Sequence, residues 1–80
     1  MAVVIVPAAL RALTGAERVT LAAGNVLGLL RALEARFPGF REALGPRFAV
    51  AIDGVIHGHA DYEPLGDDSE VTFLPPIAGG

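Results

Sequence analysis

One segment in the middle of the chain has the periodicity of an amphipathic helix, and it constrains the fold more than any other feature. Asn25 precedes it and has a side chain suited to cap a helix N-terminus, while Pro38 and Gly39 end the pattern. Five apolar residues recur at helical spacing between these limits: Val26, Leu29, Leu30, Leu33 and Phe37. A helix with one apolar stripe needs a sheet to cover, so we expect strands in the rest of the chain.

Strand-like segments lie on both sides of this helix. The first two are expected to pair as a hairpin, and Asp53 and Gly54 are a strong hairpin signal between the third and the fourth. Shorter helical turns are expected at residues 8–13 and 40–44. The five strand-like segments are residues 2–6, 17–21, 48–52, 55–56 and 70–74. This order predicts an α+β domain of the β-grasp type, with a small mixed sheet of four or five strands and one main helix on one face.

The size and charge of the chain exclude several classes of function. Its 80 residues predict a single domain, which we place at residues 1–74, followed by a flexible functional tail at residues 75–80. The chain has no cysteine, so a disulfide framework and a zinc–thiolate site are excluded. Its net charge is −3 and its six arginines are scattered, which argues against a nucleic-acid partner. The sequence places no catalytic triad or carboxylate pair by spacing, so we do not expect an enzyme.

The cellular location of the protein is predicted from the apolar stretches of its sequence. Residues 19–30 form the longest uncharged internal stretch, and its 12 residues are too few for a helix that needs about 20 to cross a bilayer. The first residues lack the basic start and the cleavage-site pattern of a signal peptide. We therefore expect a cytoplasmic protein without a membrane partner. We also expect the protein to be a monomer when it is alone.

The end of the sequence is its most unusual feature. Pro75 and Pro76 stiffen the exit from the last strand, and the side chains then shrink through Ile77 and Ala78 to a terminal pair of glycines. Glycine allows a close approach of the backbone, so such a tail fits a narrow pocket. The functional group delivered to that pocket is the α-carboxylate of the last residue. A frayed terminus is the alternative interpretation.

This ending resembles the C-terminus of the MoaD/ThiS family of ubiquitin-like sulfur carriers. The tail "VTFLPPIAGG" is most similar to that of the small subunit of molybdopterin synthase, and "ALRALTG" and "PLGDDSEVTF" resemble other family segments. The start of the chain also resembles the branch that supplies sulfur to a cysteine synthase. The resemblance implies the β-grasp fold already predicted from the order of the elements.

The resemblance also implies a mechanism in which the chain is a carrier and not a catalyst. A partner similar to ubiquitin-activating enzymes would adenylate the carboxylate of Gly80, and a persulfide donor would convert it to a thiocarboxylate. An acceptor enzyme, such as the large subunit of molybdopterin synthase, would then receive the Gly79-Gly80 tail and its sulfur. ATP and the sulfur donor would be used by the activating partner, and no cofactor would be bound by this chain.

The residues around the tail are expected to contact these partners. If Val71 and Phe73 point into the core, then Leu74 lies on the opposite face of the sheet. We predict that Leu74 and Ile77 anchor the interface, with the alternative that Leu74 merely covers the edge of the sheet. The predicted partner-binding residues are Leu74, Pro75, Pro76, Ile77 and Ala78.

Several alternatives remain open at this stage. The acceptor could belong to cysteine or thiamine-thiazole synthesis, because the segment 57–61 has no counterpart in molybdopterin synthase subunits. The chain could instead be a ubiquitin-like protein modifier, or an interaction module with an incidental tail. His57, His59 and Asp61 would share a face of an extended strand and could bind a metal, but a solvated hairpin end without metal is favoured. An acidic set could recognise a basic partner or form a solvated loop face: Asp61, Glu63, Asp67, Asp68 and Glu70.

Overall fold

The computed structural model of the chain describes residues 1–58 and 60–74. Three helices, one 3₁₀ turn and five strands follow one another in this part of the chain. They are β1 (Ala2–Ile5), the 3₁₀ turn (Ala8–Leu10), α1 (Arg11–Thr14), β2 (Arg18–Leu21), α2 (Val26–Arg36), α3 (Phe40–Leu44), β3 (Ala49–Ile52), β4 (Val55–His57) and β5 (Glu70–Leu74). Every segment predicted as a strand or a helix has a counterpart, with differences of one or two residues at the ends.

The five strands form one mixed sheet in the order β2-β1-β5-β3-β4. The first and last strands of the sequence, β1 and β5, lie side by side and parallel, with Val4 opposite Val71. The other neighbouring pairs are antiparallel, including the expected hairpins β1–β2 and β3–β4. The mixed sheet predicted from the sequence is therefore confirmed, and β5 is its central strand.

Alternate side chains of the strands point to one side of the sheet, which we call the inner face. Val4 on β1, Val71 and Phe73 on β5 and Val50 on β3 are all buried there. The apolar stripe of α2 covers them, since its residues Val26, Leu29, Leu30 and Leu33 belong to the same buried cluster. Phe37, the last residue of the predicted stripe, is only partly buried. One face of α2 and one face of the sheet thus form most of the core, which Leu10, Phe40, Leu44 and Ala60 complete.

The N-terminus of α2 is held by a side chain and by a distant loop. The Oδ1 atom of Asn25 accepts a hydrogen bond from the backbone N–H of Gly28 at 2.8 Å, which confirms the predicted cap. The backbone N–H of Leu27 donates to the carbonyl of Asp61 at 2.8 Å, and that of Val26 donates to the carbonyl of Glu63 at 3.3 Å. These N–H groups have no partner inside the helix, so the loop fixes where α2 begins.

The short helix α3 is attached to α2 by the carboxylate of Glu34. Its Oε2 atom accepts from the N–H of Gly39 at 2.8 Å, and its Oε1 atom accepts from the N–H of Arg41 at 3.0 Å. These two hydrogen bonds, helped by the charge of Arg41, lower the pKa of Glu34, because both favour the ionised form. Gly39 has a φ of 95°, which suits glycine at the junction between the helices.

The turn between β3 and β4 is also attached to β5. Asp53 and Gly54 have φ values of 49° and 87°, as the predicted two-residue hairpin requires. The backbone N–H of Asp53 donates to the carbonyl of Glu70 at 2.9 Å, and its Oδ1 atom accepts from the N–H of Glu70 at 2.9 Å. The turn therefore fixes the position where β5 begins.

No helix in the described part of the chain is long and apolar enough to cross a membrane.

Candidate functional site

The end of β5 is the point from which the predicted functional tail leaves the sheet. β5 has a hydrogen-bonded neighbour on each side, β1 and β3. Leu74, its last residue, lies opposite Ala49 at the start of β3. The buried Phe73 packs edge-to-face on Phe40 and on Phe48, with ring centroids 6.1 and 5.8 Å away. The pairing of β5 with β1 ends at Thr72, so the pairing of Leu74 with β3 and the aromatic packing of Phe73 below fix the direction of the chain at Leu74.

The side of the sheet opposite the helices, which we call the outer face, is largely apolar near this exit. One row of residues crosses all five strands on this face: Arg18, Ile5, Thr72, Ala51 and Ile56. Leu74 and Ala49 form the next row towards the tail. Ile56 is 67% exposed, and Ile5, Thr72, Ala51, Ala49 and Leu74 are half-buried. The outer face thus offers apolar surface next to the exit of the tail.

Leu74 has the orientation expected from the alternation of β5. Val71 and Phe73 are fully buried, whereas Thr72 and Leu74 are half-buried on the outer face. β5 is the central strand, but Leu74 pairs with β3 alone because the pairing with β1 ends at Thr72, so the alternative that Leu74 covers an edge of the sheet also stays a prediction. Sequence reasoning could not find the central position of β5, since the order of strands depends on the parallel pairing of the two chain ends. The role of Leu74 as an interface anchor stays a prediction.

The other predicted site residues lie outside the described part of the chain. They are Pro75, Pro76, Ile77, Ala78, Gly79 and Gly80. Their roles, and the predicted boundary between a domain at residues 1–74 and a functional tail at residues 75–80, remain predictions.

The acidic residues of the last third of the chain are divided between two places. Asp61 and Glu63 lie at the N-terminus of α2, where their carbonyls accept hydrogen bonds. Asp67, Asp68 and Glu70 lie at or just before the start of β5. There Glu70 pairs with Arg18 at 3.4 Å, and the carbonyl of Asp67 accepts from the N-terminal amine at 2.6 Å. The five residues therefore have different local surroundings, and their role in recognising a basic partner stays a prediction.

The histidine hypothesis is tested only in part. β4 ends at His57, and Asp61 lies in a turn, so an extended strand does not carry both residues to one face. The Nδ1 atom of His57 lies 4.0 Å from the Oε2 atom of Glu63, and His59 is outside the described residues. Within residues 1–58 and 60–74, no three histidine or acidic side chains are grouped as metal ligands.

Comparison with known proteins identifies the family. The sequence model of the ThiS family matches residues 4–80, almost the whole chain. The chain belongs to the ThiS family. The match confirms the predicted membership of the ubiquitin-like sulfur carriers, and it extends over both terminal glycines. Small carriers of the ThiS family are generally not catalysts themselves.

Solved structures show that this member of the ThiS family has the β-grasp fold. A chain in the crystal structure of the Amycolatopsis orientalis BexX/CysO complex has a TM-score of 0.85 and 24% identity, with 100% of both chains covered. The solution structure of small archaeal modifier protein 1 from Methanosarcina acetivorans gives 0.80 and 22%, with 99% of this chain and 95% of that chain covered. These identities carry the fold and nothing finer.

A third solved structure has the same fold. The crystal structure of Mycobacterium tuberculosis CysO, described as an antigen, gives a TM-score of 0.79 and 22% identity, with 96% of this chain and 100% of that chain covered. No curated protein matches the sequence.

One feature of this ThiS-family chain was missed by sequence reasoning. Tyr62 is 81% exposed and lies beside a cleft of about 480 Å³ on the helix side of the sheet. In the sequence Tyr62 lies in a polar loop, and this position predicts neither exposure nor burial of its aromatic ring. The cleft forms between segments far apart in sequence, so no local pattern indicated it.

Proposed function

We propose that this chain is a sulfur carrier that works through a thiocarboxylate on Gly80. The observation that carries the proposal is the match to the ThiS family, which runs from residue 4 through the two terminal glycines. The carboxylate of Gly80 attacks the α-phosphate of ATP and releases pyrophosphate, which gives an acyl-adenylate. A persulfide sulfur then displaces AMP, and a thiol releases the thiocarboxylate from the resulting acyl disulfide.

In this proposal the chain presents its tail and the partners supply the chemistry. A ubiquitin-activating-enzyme-like adenylyltransferase binds ATP and brings the sulfur donor to the acyl-adenylate. An acceptor enzyme then takes the Gly79-Gly80 tail into its active site. The fixed end of β5 supports this division of roles, because it presents the tail from one defined point of the sheet.

The outer face is the surface that we propose for docking. Leu74, Ala49, Thr72 and Ile5 are half-buried there, so their apolar atoms are already partly out of water and can be covered by a partner. A small apolar surface around the tail exit is suited to partners that must bind, react and dissociate, because weak and transient interfaces are small. Ile77 is the second proposed anchor.

We place the acceptor in the biosynthesis of molybdopterin, because the tail is most similar to that of the small subunit of molybdopterin synthase. Cysteine or thiamine-thiazole synthesis is the second candidate within the same chemistry. CysO proteins of two bacteria share the fold, and the start of the chain resembles the carriers that supply a cysteine synthase.

A ubiquitin-like modifier is the second class of function. The observation that favours it is the fold shared with small archaeal modifier protein 1 from two archaea. A modifier would form an amide between Gly80 and a lysine of another protein. This chain has no lysine, so it could not accept such a bond on a side chain of its own.

The test is the intact mass of the protein purified from its own host under mild reducing conditions. A sulfur carrier contains a population heavier by one exchange of oxygen for sulfur, located at Gly80 by fragmentation. A matched variant lacking Gly79 and Gly80 shows no such population. If the mass stays unmodified after incubation with the host adenylyltransferase, ATP and a sulfur donor, the carrier proposal is wrong. Conjugates of Gly80 with other proteins would then favour the modifier.

A further inference from the structure

A second surface lies on the helix side of the sheet, in the cleft beside Tyr62. Its apolar lining comes from α2, β3 and the loop after β4, through Val26, Phe48, Val50 and Ala60. An adjoining cleft of about 600 Å³ continues towards α3 and shares Phe48. Volumes of about 300–1,000 Å³ are typical of ligand pockets, so the cleft can receive a large side chain.

Tyr62 is the main reason to consider this cleft as a binding site. It is the one tyrosine of the sequence, and 81% of it is exposed beside the apolar lining. Phe48, half-buried in the same cleft, adds a second aromatic ring. Tyrosine is enriched among the residues that dominate binding energy at protein interfaces.

The charges around the cleft favour a cation. Asp61 and Glu63 are among the residues that line it with Tyr62. All six arginines of the chain lie within residues 11–47, whereas residues 48–80 contain six acidic residues and no arginine or lysine. Among the described residues that line the adjoining cleft, Arg41 is the one cation, beside Glu42 and Asp61. Among the described residues, the rim of the cleft beside Tyr62 therefore has two acidic residues, Asp61 and Glu63, and the carboxylate of Glu63 also lies 4.0 Å from Nδ1 of His57.

The loop that carries this rim is held in place by its backbone. The carbonyls of Asp61 and Glu63 accept from α2, and the N–H of Leu65 donates to the carbonyl of Gly24 at 2.9 Å. Asn25 and Pro64 form an isolated bridge between the same segments. A site that is already ordered loses little conformational entropy on binding.

We propose that this cleft binds an arginine side chain presented by a partner protein. A planar guanidinium can stack on an aromatic ring while it donates hydrogen bonds to carboxylates, and the cleft places both kinds of group together. An ammonium lacks the planar stacking surface. The proposal is independent of the chemistry of Gly80, because it concerns a different face of the molecule.

The test is an NMR titration of the full-length, ¹⁵N-labelled chain with N-acetyl-arginine amide. We expect saturable shift changes at Phe48 and residues 60–63, with smaller changes when N-acetyl-lysine amide is used. Tyr62→Ala should weaken the binding by about two- to fivefold, the size of a cation–π contact at an exposed site, and Tyr62→Phe should keep it. Asp61→Asn/Glu63→Gln should weaken it by a similar factor.

The matched control is Asp67→Asn/Asp68→Asn, which removes the same charge at the other acidic location. It should leave the affinity unchanged. Equal losses in the two double variants, or equal shifts with the lysine probe, would show unspecific attraction of cations and overturn the proposal. Unsaturable shifts would overturn it too. All of the substituted side chains are exposed or half-buried, and the dispersion of the amide spectrum reports whether each variant is folded.

Discussion

The two faces of the sheet differ although the residues that form them alternate along the same strands. On the inner face a row of β-branched residues crosses all five strands: Val19, Val4, Val71, Ile52 and Val55. On the outer face the row one residue away is mixed: Arg18, Ile5, Thr72, Ala51 and Ile56. The inner row is buried except at the edge strand β4, and the outer row is half-buried or exposed. Successive side chains of a strand point to opposite faces of the sheet. Substitutions on a single strand can therefore test the stability of the core and the binding of a partner separately.

The strongest test of this comparison is Phe73→Ala, on the inner face of β5. Phe73 is fully buried and packs on Phe40 and Phe48. Its removal leaves a cavity, so we expect a loss of about 3–5 kcal/mol in the free energy of unfolding. Urea denaturation followed by circular dichroism measures this loss. A loss below about 0.5 kcal/mol, the level of an ordinary surface substitution, would contradict the assignment of the inner face as the core.

The neighbouring residue should show the opposite behaviour. Leu74→Ala removes a half-buried side chain from the outer face, so we expect a loss of no more than about 1.5 kcal/mol in stability. Binding to the host adenylyltransferase should weaken by about tenfold, the loss typical of an interface anchor. Isothermal titration calorimetry measures the affinity.

The control for Leu74 is Thr20→Ala, an outward-facing residue on the edge strand β2. This variant should bind the partner like the unmodified chain. An unchanged affinity for Leu74→Ala would place the docking surface elsewhere, and the tail itself would then carry the interaction.

The third test loosens the helix that covers the inner face. Asn25→Ala removes the hydrogen bond to the N–H of Gly28, and loss of an N-cap costs about 1 kcal/mol. The cap lies far from the outer face, so binding at Leu74 should be unaffected. Hydrogen exchange of the first-turn amides of α2 measures the local effect, and Asn25→Asp, which keeps an acceptor, should restore protection. Faster exchange throughout the sheet would show that the cap stabilises more than one end of α2.

Much of this architecture was predictable because its signals are local. The stripe from Val26 to Leu33, the cap at Asn25 and the turn at Asp53 each depend on residues that are close in sequence. The alternation of β5 predicted which face Leu74 occupies. Membership of the ThiS family was predictable from the short tail motif alone, which is specific because few chains end in this way.

The remaining features depend on contacts between distant segments. The central position of β5 requires pairing between residues 3–5 and 70–72, and no local pattern reports which strands become neighbours. The carbonyls of Asp61 and Glu63 accept hydrogen bonds from the first turn of α2, which is distant from them in sequence. The cleft beside Tyr62 also forms between segments that are distant in sequence. The helices and strands were therefore predictable from local sequence, and the structure adds their pairing and the surfaces that they form.

The smallest expected effect concerns the junction of α2 and α3, and it depends on pH. The N–H groups of Gly39 and Arg41 hold the pKa of Glu34 below its ordinary value of 4.5. A lowered pKa in the folded state means that the ionised carboxylate stabilises the fold above pH 4.5, and that this contribution is lost as the pH falls through the folded-state value. Glu34→Gln keeps one acceptor oxygen but no charge, so its stability deficit should be largest near neutral pH and shrink in acid. Thermal unfolding between pH 7 and about pH 3 measures this difference.

Glu42→Gln is the control, because Glu42 accepts no hydrogen bond within the described residues, and its deficit should not follow the same pH dependence. A deficit for Glu34→Gln that is constant across this range would show that the carboxylate holds α3 by its shape and not by its charge.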